Sequence, residues 1–458
     1  MFTGILLYDT SIEPPNKMIR RLSEPIRWIT TLMILLLPRF GQALQQCTAQ
    51  RNYRHLVVLV HGYLGSDREQ EYLGEALQKE STKLADEYRR SSDEMTCQKN
   101  NRHELVILNS KANVKVSTDG VAMGGKRLAE EISEWIEQQT TEIQKSKSST
   151  VMTFSMIGNS LGGLYGRYAL SELDFFRHNN HSILPLVFCT TSSPHLGVSQ
   201  ETFIELPRWI EPHVATVFQQ QTMDDLFGVH DSTIVKDMCL EENENFLFPL
   251  KQFQKRIAVA NAYKTDFLVS VSSGAFLSLD SDSVHHYQDG DSSSTRLMKD
   301  TGHVALQVVT ETAEATGTST DSRDDTDDSR SNGPSLKLPP AARHVHGAQG
   351  DTSLKSCVDS LDRLGWHKIF IDTRNILPGF MSREIPKLEP RATYTSKELK
   401  KHFETYGTLL PIAHPLNMAN SKTDLYRLMT QGGQPIMDAL AELLMLDMVE
   451  LSEKQYTP

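Results

Sequence analysis

Residues 155–166 read Ser-Met-Ile-Gly-Asn-Ser-Leu-Gly-Gly-Leu-Tyr-Gly, and this stretch decides the fold of the 458-residue chain. A β-rich apolar run ends at Gly158, and a helical pattern begins directly after Ser160. Gly-x-Ser-x-Gly between a strand and a helix is typical of a nucleophile elbow, a tight turn that exposes a reactive serine hydroxyl. Side chains at Gly158 and Gly162 would collide with the neighbouring strand and helix. The stretch therefore predicts Ser160 as a nucleophile; the alternative is an ordinary glycine-rich helix start.

A second glycine-containing stretch, His61-Gly-Tyr-Leu-Gly65, follows an upstream β-rich run. Acyl-transfer chemistry needs two N–H donors directed at the oxyanion of its tetrahedral intermediate. One donor is expected from Leu161, the residue after the nucleophile, and the other from the loop after an early strand, here Tyr63 or Leu64. Gly62 lets this backbone bend toward the site. Alone the stretch would be an ordinary turn, but upstream of an elbow it predicts an oxyanion hole.

A catalytic acid and then a histidine are expected in that order after the serine. Asp266 follows the apolar run 257–260 and is the candidate acid; an exposed loop carboxylate is the alternative. His414, between the last strand and the last amphipathic helix, is the candidate base; a structural loop histidine is the alternative. Other histidines suit the role of base less well: His61 lies in the predicted oxyanion loop, His367 in a predicted strand, His402 after a Lys-rich helix, and five lie in or beside an acidic segment, namely His285, His286, His303, His344 and His346. Their spacing forms no recognisable metal site, and no metal or organic cofactor is predicted.

Short apolar runs alternate with helical patterns along much of the chain. The runs are 56–60, 105–108, 151–157, 186–190, 257–260 and 367–371, and the clearest helical patterns are 125–138 and 434–448. Runs without polar alternation indicate strands buried on both faces. The pattern predicts an α/β fold with a mainly parallel sheet and helices on both faces.

Several motifs together resemble a known family. They are His61-Gly-Tyr-Leu-Gly65, Gly158-Asn-Ser-Leu-Gly-Gly163, Ser193-Pro-His-Leu-Gly197, Ala260-Asn261 before Asp266, and Leu364-Gly-Trp-His-Lys368. Over residues 53–278 and 355–446 the chain resembles the putative serine esterases, or lipase-like proteins, of plants, fungi, protists and animals. The resemblance implies the α/β-hydrolase fold, hydrolysis of acyl esters, and Ser160, Asp266 and His414 as the catalytic triad.

Most of the formal charge of −11 lies in one segment. Residues 280–335 hold 12 acidic and 4 basic side chains, a net charge of −8, and few large apolar ones. Such a composition predicts a disordered insertion at 279–350, with a short strand at 304–309 inside it. An acidic docking or phosphorylation segment with an unspecified protein partner is the alternative. The predicted catalytic domain is thus divided into 51–278 and 351–458, and the overall acidity argues against a nucleic-acid binder.

Residues 1–50 form a basic and apolar leader in this interpretation. The apolar run 28–37 follows Lys17, Arg20, Arg21 and Arg27 and is too short to span a bilayer. It predicts either a signal peptide or signal anchor, or a buried or membrane-touching helix. The first implies a secretory or endomembrane location, and the second a cytoplasmic protein with membrane association.

The long connection 197–255 carries apolar residues that suit a helical cap over an acyl chain; a helix pair packed on the core is the alternative. They are Phe203, Ile204, Leu206, Trp209, Ile210, Val214, Val217 and Phe218. The predicted function is a serine hydrolase of carboxylic esters, with an acyl-lipid substrate and peripheral membrane contact. An acyltransferase with the same triad and a non-catalytic binding protein on the same fold are the alternatives.

Overall fold

A computed structural model describes residues 51–91, 101–146, 149–177, 183–199, 209–218, 220–241, 243–288, 302–311, 354–376, 388–389, 391–405 and 412–455. The predicted leader at 1–50 lies outside these residues. Asn52–Glu87 and Arg102–Pro458 form one compact unit, which carries the sheet and the site described below. The other unit, Met1–Arg51 with Tyr88–Asn101, contains few described residues. Where the structure describes the chain, its helices are all too short or too polar to cross a membrane.

One sheet contains the nine strands found in the described residues. They are β1 (Asn52–Val60), β2 (Arg102–Asn109), β3 (Thr150–Asn159), β4 (Ile183–Thr191), β5 (Lys255–Asn261), β6 (Val284–Tyr287), β7 (Val304–Thr310), β8 (His367–Ile371) and β9 (Thr393–Thr395). Their spatial order is β2-β1-β3-β4-β5-β8-β7-β6-β9. Each of the six runs predicted as strands is confirmed.

The sheet has a parallel part and an antiparallel extension. In spatial order, the first six strands, β2-β1-β3-β4-β5-β8, pair in parallel. Beyond β8, the strands β7, β6 and β9 follow, and each pairs antiparallel with the strand before it. The parallel part has the topology expected of a doubly wound α/β fold, in which helical crossovers cover both faces. The predicted mainly parallel sheet is confirmed.

Helices follow the strands in alternation. They are α1 (Glu71–Ser91), α2 (Val121–Ser146), α3 (Leu161–Glu172), α4 (Asp174–Arg177), α5 (Glu211–Phe218), α6 (Gln221–Phe227), α7 (Ile234–Asp237), α8 (Glu244–Lys251), α9 (Val271–Gly274), α10 (Leu354–Asp362), α11 (Ser396–Thr405), α12 (Ala413–Leu416), α13 (Asp424–Met429) and α14 (Gln434–Lys454). The two helical patterns at 125–138 and 434–448 are confirmed, within the longer helices α2 and α14.

Two hydrophobic cores lie on opposite faces of the sheet. In β1, Leu56 and Val58 belong to the first core, where α2 and α3 pack, and Val57 and Leu59 belong to the second, where α1 and α14 pack. Successive side chains of a strand point to opposite faces, so both sets are buried only if helices cover both sides. The central strands therefore bury apolar side chains on both faces, as their apolar runs predicted.

The prediction that residues 279–350 are disordered is wrong in the first part of this segment. Two of its stretches, β6 and β7, are strands of the sheet. The strand predicted at 304–309 is confirmed as β7. In β6, His285 is buried, and its Nε2 lies 2.9 Å from Nζ of the buried Lys368. Asp362 Oδ1 lies 2.6 Å from the same Nζ. Composition averaged over the segment hides a four-residue strand of this kind. Residues 289–301 and 312–350 lie outside the described residues.

The connection 197–255 forms α5 to α8. Ala215, Leu226 and Leu250 are buried in the first core, whereas Trp209 and Val217 are exposed. Phe203, Ile204 and Leu206 lie outside the described residues. Part of this connection thus packs on the core, and the cap over an acyl chain stays a prediction.

Candidate active site

Four parallel strands end at the same edge of the sheet. Val60 pairs with Gly158 at the ends of β1 and β3, Asn159 pairs with Thr191 at the ends of β3 and β4, and Asn261 ends the neighbouring β5. In open α/β sheets this carboxyl edge is where ligands bind. The loops predicted to carry the oxyanion donors, the nucleophile and the acid therefore meet at one place.

Ser160 lies between β3 and α3 in a strained backbone conformation, with φ +53°. Its N–H donates to the Thr191 carbonyl at 2.8 Å, which fixes the turn against β4. A Cβ on Gly158 would lie 2.6 Å from the Gly163 backbone, and one on Gly162 would overlap the Val60 carbonyl oxygen. Both glycines are therefore required by close backbone approach, and residues 158–162 have the geometry of a nucleophile elbow.

Leu161 is the first residue of α3, and its N–H belongs to the donors at a helix N-terminus that the helix itself does not use. The helix dipole adds partial positive charge at this end. Ser160 is 8 % exposed, so negative charge developing beside it would be poorly solvated by water. The Leu161 N–H is therefore in the position expected of an oxyanion donor.

The loop after β1 contacts the nucleophile directly, since a Cβ on Gly62 would lie 2.8 Å from the Ser160 Cβ. The Gly62 N–H donates to Glu69 Oε1 at 2.9 Å, and the Leu64 N–H donates to Ser117 Oγ at 2.9 Å. The N–H groups of Gly62 and Leu64 therefore already donate to oxygen atoms of the protein itself. Of the two residues predicted from sequence for the second donor, Leu64 thus has its N–H bonded to Ser117, and Tyr63 stays a prediction.

Asp266 and His414 are brought together, with Asp266 Oδ2 2.9 Å from His414 Nδ1. The other oxygen, Oδ1, accepts the N–H groups of Leu268 at 2.8 Å and Val269 at 3.0 Å. A β-bridge between Asp266 and Ile412 joins the two loops beside this contact. The carboxylate is 2 % exposed and is thus held by hydrogen bonds in one orientation toward the imidazole.

The two groups shift each other's protonation in opposite directions. Burial lowers the pKa of His414, but the charge and hydrogen bond of Asp266, with the charge of Glu69, outweigh it, so the pKa is raised. Burial raises the pKa of Asp266, but the charge and hydrogen bond of His414 and the bonds from Val269 and Asn261 outweigh it, so the pKa is lowered. The pair therefore favours a charged carboxylate that stabilises an imidazolium.

Thr191 and Ser192 join the nucleophile to the acid and base loops. The Thr191 carbonyl holds the Ser160 N–H, and Thr191 Oγ1 lies 2.8 Å from Sδ of Met418, four residues after His414. Ser192 Oγ accepts from Asn261 Nδ2 at 2.8 Å and from Asn417 Nδ2 at 2.7 Å. Asn261 Nδ2 also donates to Asp266 Oδ2 at 2.8 Å. No hydrogen bond joins Ser160 to His414 among the described residues, and such contacts commonly tighten only when substrate binds.

Sequence reasoning missed the roles of Ser192 and Asn417. Ser192 has a positive φ of +45°, which no sequence pattern around it signals.

His402, expected after a Lys-rich helix, instead lies within α11. In the described ranges, groups of three or more side chains suited to hold a metal ion are absent.

Residues 50–277 match a family model described as "Putative serine esterase (DUF676)". Over these residues the chain belongs to the putative serine esterase family. The resemblance drawn from the motifs is thus confirmed, and the α/β-hydrolase fold fits the observed sheet. The matched residues include Tyr63, Ser160 and Asp266, whereas His414 lies beyond them. Among curated proteins, none matches this chain significantly.

Solved structures similar to this chain share little sequence with it. Lipase BlEst2 of Bacillus licheniformis, in its propeptide form, is 15 % identical over 48 % of this chain and 37 % of its own, with a TM-score of 0.27. Phospholipase PlaB of Legionella pneumophila, in complex with thio-NAD, is 11 % identical over 48 % of this chain and 44 % of its own, with a TM-score of 0.29. The putative cell surface hydrolase of Lactobacillus plantarum WCFS1 is 10 % identical over 48 % and 71 %, with a TM-score of 0.24. The match thus spans less than half the length of the first two proteins.

Proposed function

We propose that the chain is a serine esterase that hydrolyses carboxylic esters through Ser160, His414 and Asp266. The observation that carries this proposal is the Asp266–His414 hydrogen bond of 2.9 Å, formed by a buried carboxylate at the sheet edge where Ser160 lies in the elbow. The N–H groups of Leu161, directly after Ser160, and of Tyr63, in the loop whose Gly62 approaches the Ser160 Cβ, support the proposal because they can donate hydrogen bonds to the oxyanion. No metal or organic cofactor takes part in the proposed reaction.

In the proposed first half-reaction, His414 Nε2 takes the proton of the Ser160 hydroxyl as Oγ bonds the ester carbonyl carbon. The carbonyl oxygen becomes an oxyanion that accepts from the Leu161 and Tyr63 N–H groups. His414 then gives the proton to the leaving alcohol as the C–O bond breaks, which leaves an acyl-enzyme. Water, deprotonated by His414, attacks this acyl group, releases the carboxylic acid and restores Ser160.

The proposed substrate is an acyl lipid presented at a membrane or other lipid surface. Large apolar side chains are exposed next to the catalytic residues: Leu64 beside Tyr63, Leu268 beyond Asp266, and Ile412 before His414. The helix α13 follows the His414 segment, and none of its side chains is buried. On α13 the side chains of Leu425, Leu428 and Met429 are 65 %, 70 % and 68 % exposed. Exposed apolar residues concentrated around a reactive site support contact with lipid.

Replacing Leu425, Leu428 and Met429 together by serine is expected to weaken binding to phosphatidylcholine vesicles by at least tenfold, since each buried apolar side chain contributes about 1.5–3 kcal/mol. Hydrolysis of soluble p-nitrophenyl butyrate should stay unchanged, because α13 contributes no group to the chemistry. Vesicle sedimentation and ester hydrolysis measure the two effects. Phe248→Ser removes a 48 % exposed side chain from α8, which precedes β5 and lies toward the opposite edge, and is the matched control. Equal vesicle binding by all three proteins would contradict lipid contact through α13.

The function itself is tested with the wild-type chain, a fluorophosphonate probe and a long-chain ester in the presence of glycerol. A serine esterase should bind one probe per chain and release free fatty acid. Acyl-glycerol as the main product would instead indicate an acyltransferase with the same triad. A folded chain that neither labels nor releases acid would contradict the enzyme and favour a non-catalytic binding protein.

A further inference from the structure

The carboxylate of Glu69 lies at the candidate site, although no step of the proposed mechanism uses it. Glu69 is 4 % exposed and lies in the turn between the oxyanion loop and α1. A buried carboxylate is costly unless hydrogen bonds satisfy it. The groups that donate hydrogen bonds to the Glu69 carboxylate therefore show which parts of the site it connects.

One oxygen of Glu69 joins the oxyanion loop to the nucleophile elbow. Oε1 accepts the Gly62 N–H at 2.9 Å and the Asn159 side-chain amide at 2.7 Å. Gly62 immediately precedes Tyr63, the candidate donor, and Asn159 immediately precedes Ser160. A shift of this carboxylate would therefore change the position of the Tyr63 N–H relative to the Ser160 hydroxyl.

The backbone of Glu69 also contacts the segment that follows the candidate base. Its carbonyl accepts the Ser421 N–H at 3.2 Å, and Lys422 Nζ bonds the carbonyl oxygen of Leu64 in the oxyanion loop. Asn159 in turn accepts from Thr191 Oγ1 at 3.0 Å. The three segments that carry the candidate oxyanion donor, nucleophile and base thus all reach Glu69 through hydrogen bonds.

We propose that Glu69 is a positioning residue that holds the Tyr63 N–H against the Ser160 hydroxyl by bonding Gly62 and Asn159 through one carboxylate oxygen. This role rests on the proposed esterase function. It separates Glu69 from Asp266, whose carboxylate bonds the imidazole itself. The chain thus uses two buried carboxylates, one for the base and one for the oxyanion loop.

The charge of Glu69 also reaches the candidate base. Burial lowers the pKa of His414, and Asp266 and Glu69 raise it more than burial lowers it. His61, whose Nδ1 bonds the Gly62 carbonyl at 3.0 Å, is the ionisable neighbour of Glu69 in the oxyanion loop. The other charged side chains of this turn form ion pairs that do not involve Glu69. Asp67 pairs with Lys111, and Arg68 pairs with Glu71 and Asp424. Removing the charge of Glu69 should therefore move the titration of His414 to lower pH.

Glu69→Gln and Glu69→Ala separate the hydrogen bonds from the charge. Glutamine keeps an acceptor for Gly62 and Asn159, so kcat for p-nitrophenyl butyrate should stay within about tenfold of wild type. The acid limb of its kcat/KM profile should nevertheless move to lower pH. Alanine removes the acceptor, so kcat should fall by about 10²–10³-fold, the usual effect of losing one oxyanion donor. KM should change little, because the oxyanion forms only in the transition state.

Glu131→Ala is the matched control, since the Glu131 carboxylate accepts the Lys111 N–H at 2.8 Å in the loop after β2, away from the triad residues. Its kcat and acid limb should equal those of wild type. Unchanged kcat in Glu69→Ala, or an unchanged acid limb in Glu69→Gln, would overturn the role of Glu69 in an active wild-type enzyme. The glutamine variant decides the matter if the alanine variant does not fold. A wild-type chain that neither hydrolyses the ester nor labels with fluorophosphonate would instead overturn the esterase function, and this role with it.

Discussion

Ser160→Ala should reduce kcat for p-nitrophenyl butyrate by at least about 10⁴-fold and abolish fluorophosphonate labelling. The loss follows from the elbow, because the Ser160 Oγ is the only atom of residue 160 that can form the acyl bond. The change removes one oxygen atom from a side chain that is 8 % exposed, and the strained φ of +53° is no worse for alanine than for serine. The variant should therefore fold like wild type, which circular dichroism and thermal melting would verify.

Ser171→Ala is the matched control for this substitution. Ser171 lies on the same helix, α3, and its hydroxyl donates to the Tyr168 carbonyl at 2.7 Å, so the same atom is removed without touching the elbow. Labelling and hydrolysis should persist in this control. A Ser160→Ala protein that labels as fast as Ser171→Ala would place the nucleophile elsewhere and contradict the proposed mechanism.

The parallel part of the fold and the elbow could be predicted because their signals are local. Apolar runs predict strands that are buried on both faces. Gly158 and Gly162 predict a close approach of backbone segments, and both lie within one five-residue motif. The extension by β6 and β9 could not be predicted in this way. These strands are four and three residues long, and β6 contains two adjacent histidines, one of them buried against Lys368. Such short strands are specified by pairing with β7 and β6, which is tertiary information.

The supports of the candidate site were hidden for a different reason. Asn417 reaches Ser192 across 225 residues of sequence, and Glu69 reaches Asn159 across 90. Neither contact leaves a periodicity or a spacing that a reader of the sequence could detect. Asp266 and His414 could be predicted as candidates, because the usual order of a serine triad along the chain limits the choice of acid and base to loops after late strands. The bond from the Leu64 N–H to Ser117, which favours Tyr63 over Leu64 as the candidate donor, is likewise visible only in the folded chain.

Asp266→Asn should lower kcat by about 10⁴-fold, because an asparagine amide in place of Oδ2 no longer holds the His414 Nδ1–H and stabilises no imidazolium. Oδ1 can still accept the Leu268 and Val269 N–H groups, so the loop should keep its conformation. The matched control is Asp225→Asn, which alters a buried carboxylate that accepts the Val121 N–H at 2.7 Å outside the proposed triad. Its kcat should remain close to wild type.

The pH dependence of Asp266→Asn gives an independent check with a defined sign. The general base must be neutral, so the wild-type kcat/KM should fall as the pH drops through the His414 pKa, which lies above its ordinary value of 6.5. Asparagine removes the largest contribution that raises this pKa, so the remaining activity should show its acid limb at lower pH. The stability of the fold depends on the other partner of the pair, Asp266, whose pKa is lowered in the folded chain. The ionised carboxylate therefore stabilises the fold above its ordinary pKa of 3.8, and this stabilisation is lost as the pH falls through the lower pKa of the folded state. Chemical denaturation at neutral pH should therefore find Asp266→Asn less stable than wild type, with the difference shrinking toward acidic pH. An acid limb at the wild-type position would show that His414 titrates independently of Asp266 and would contradict its assignment as the base of this triad.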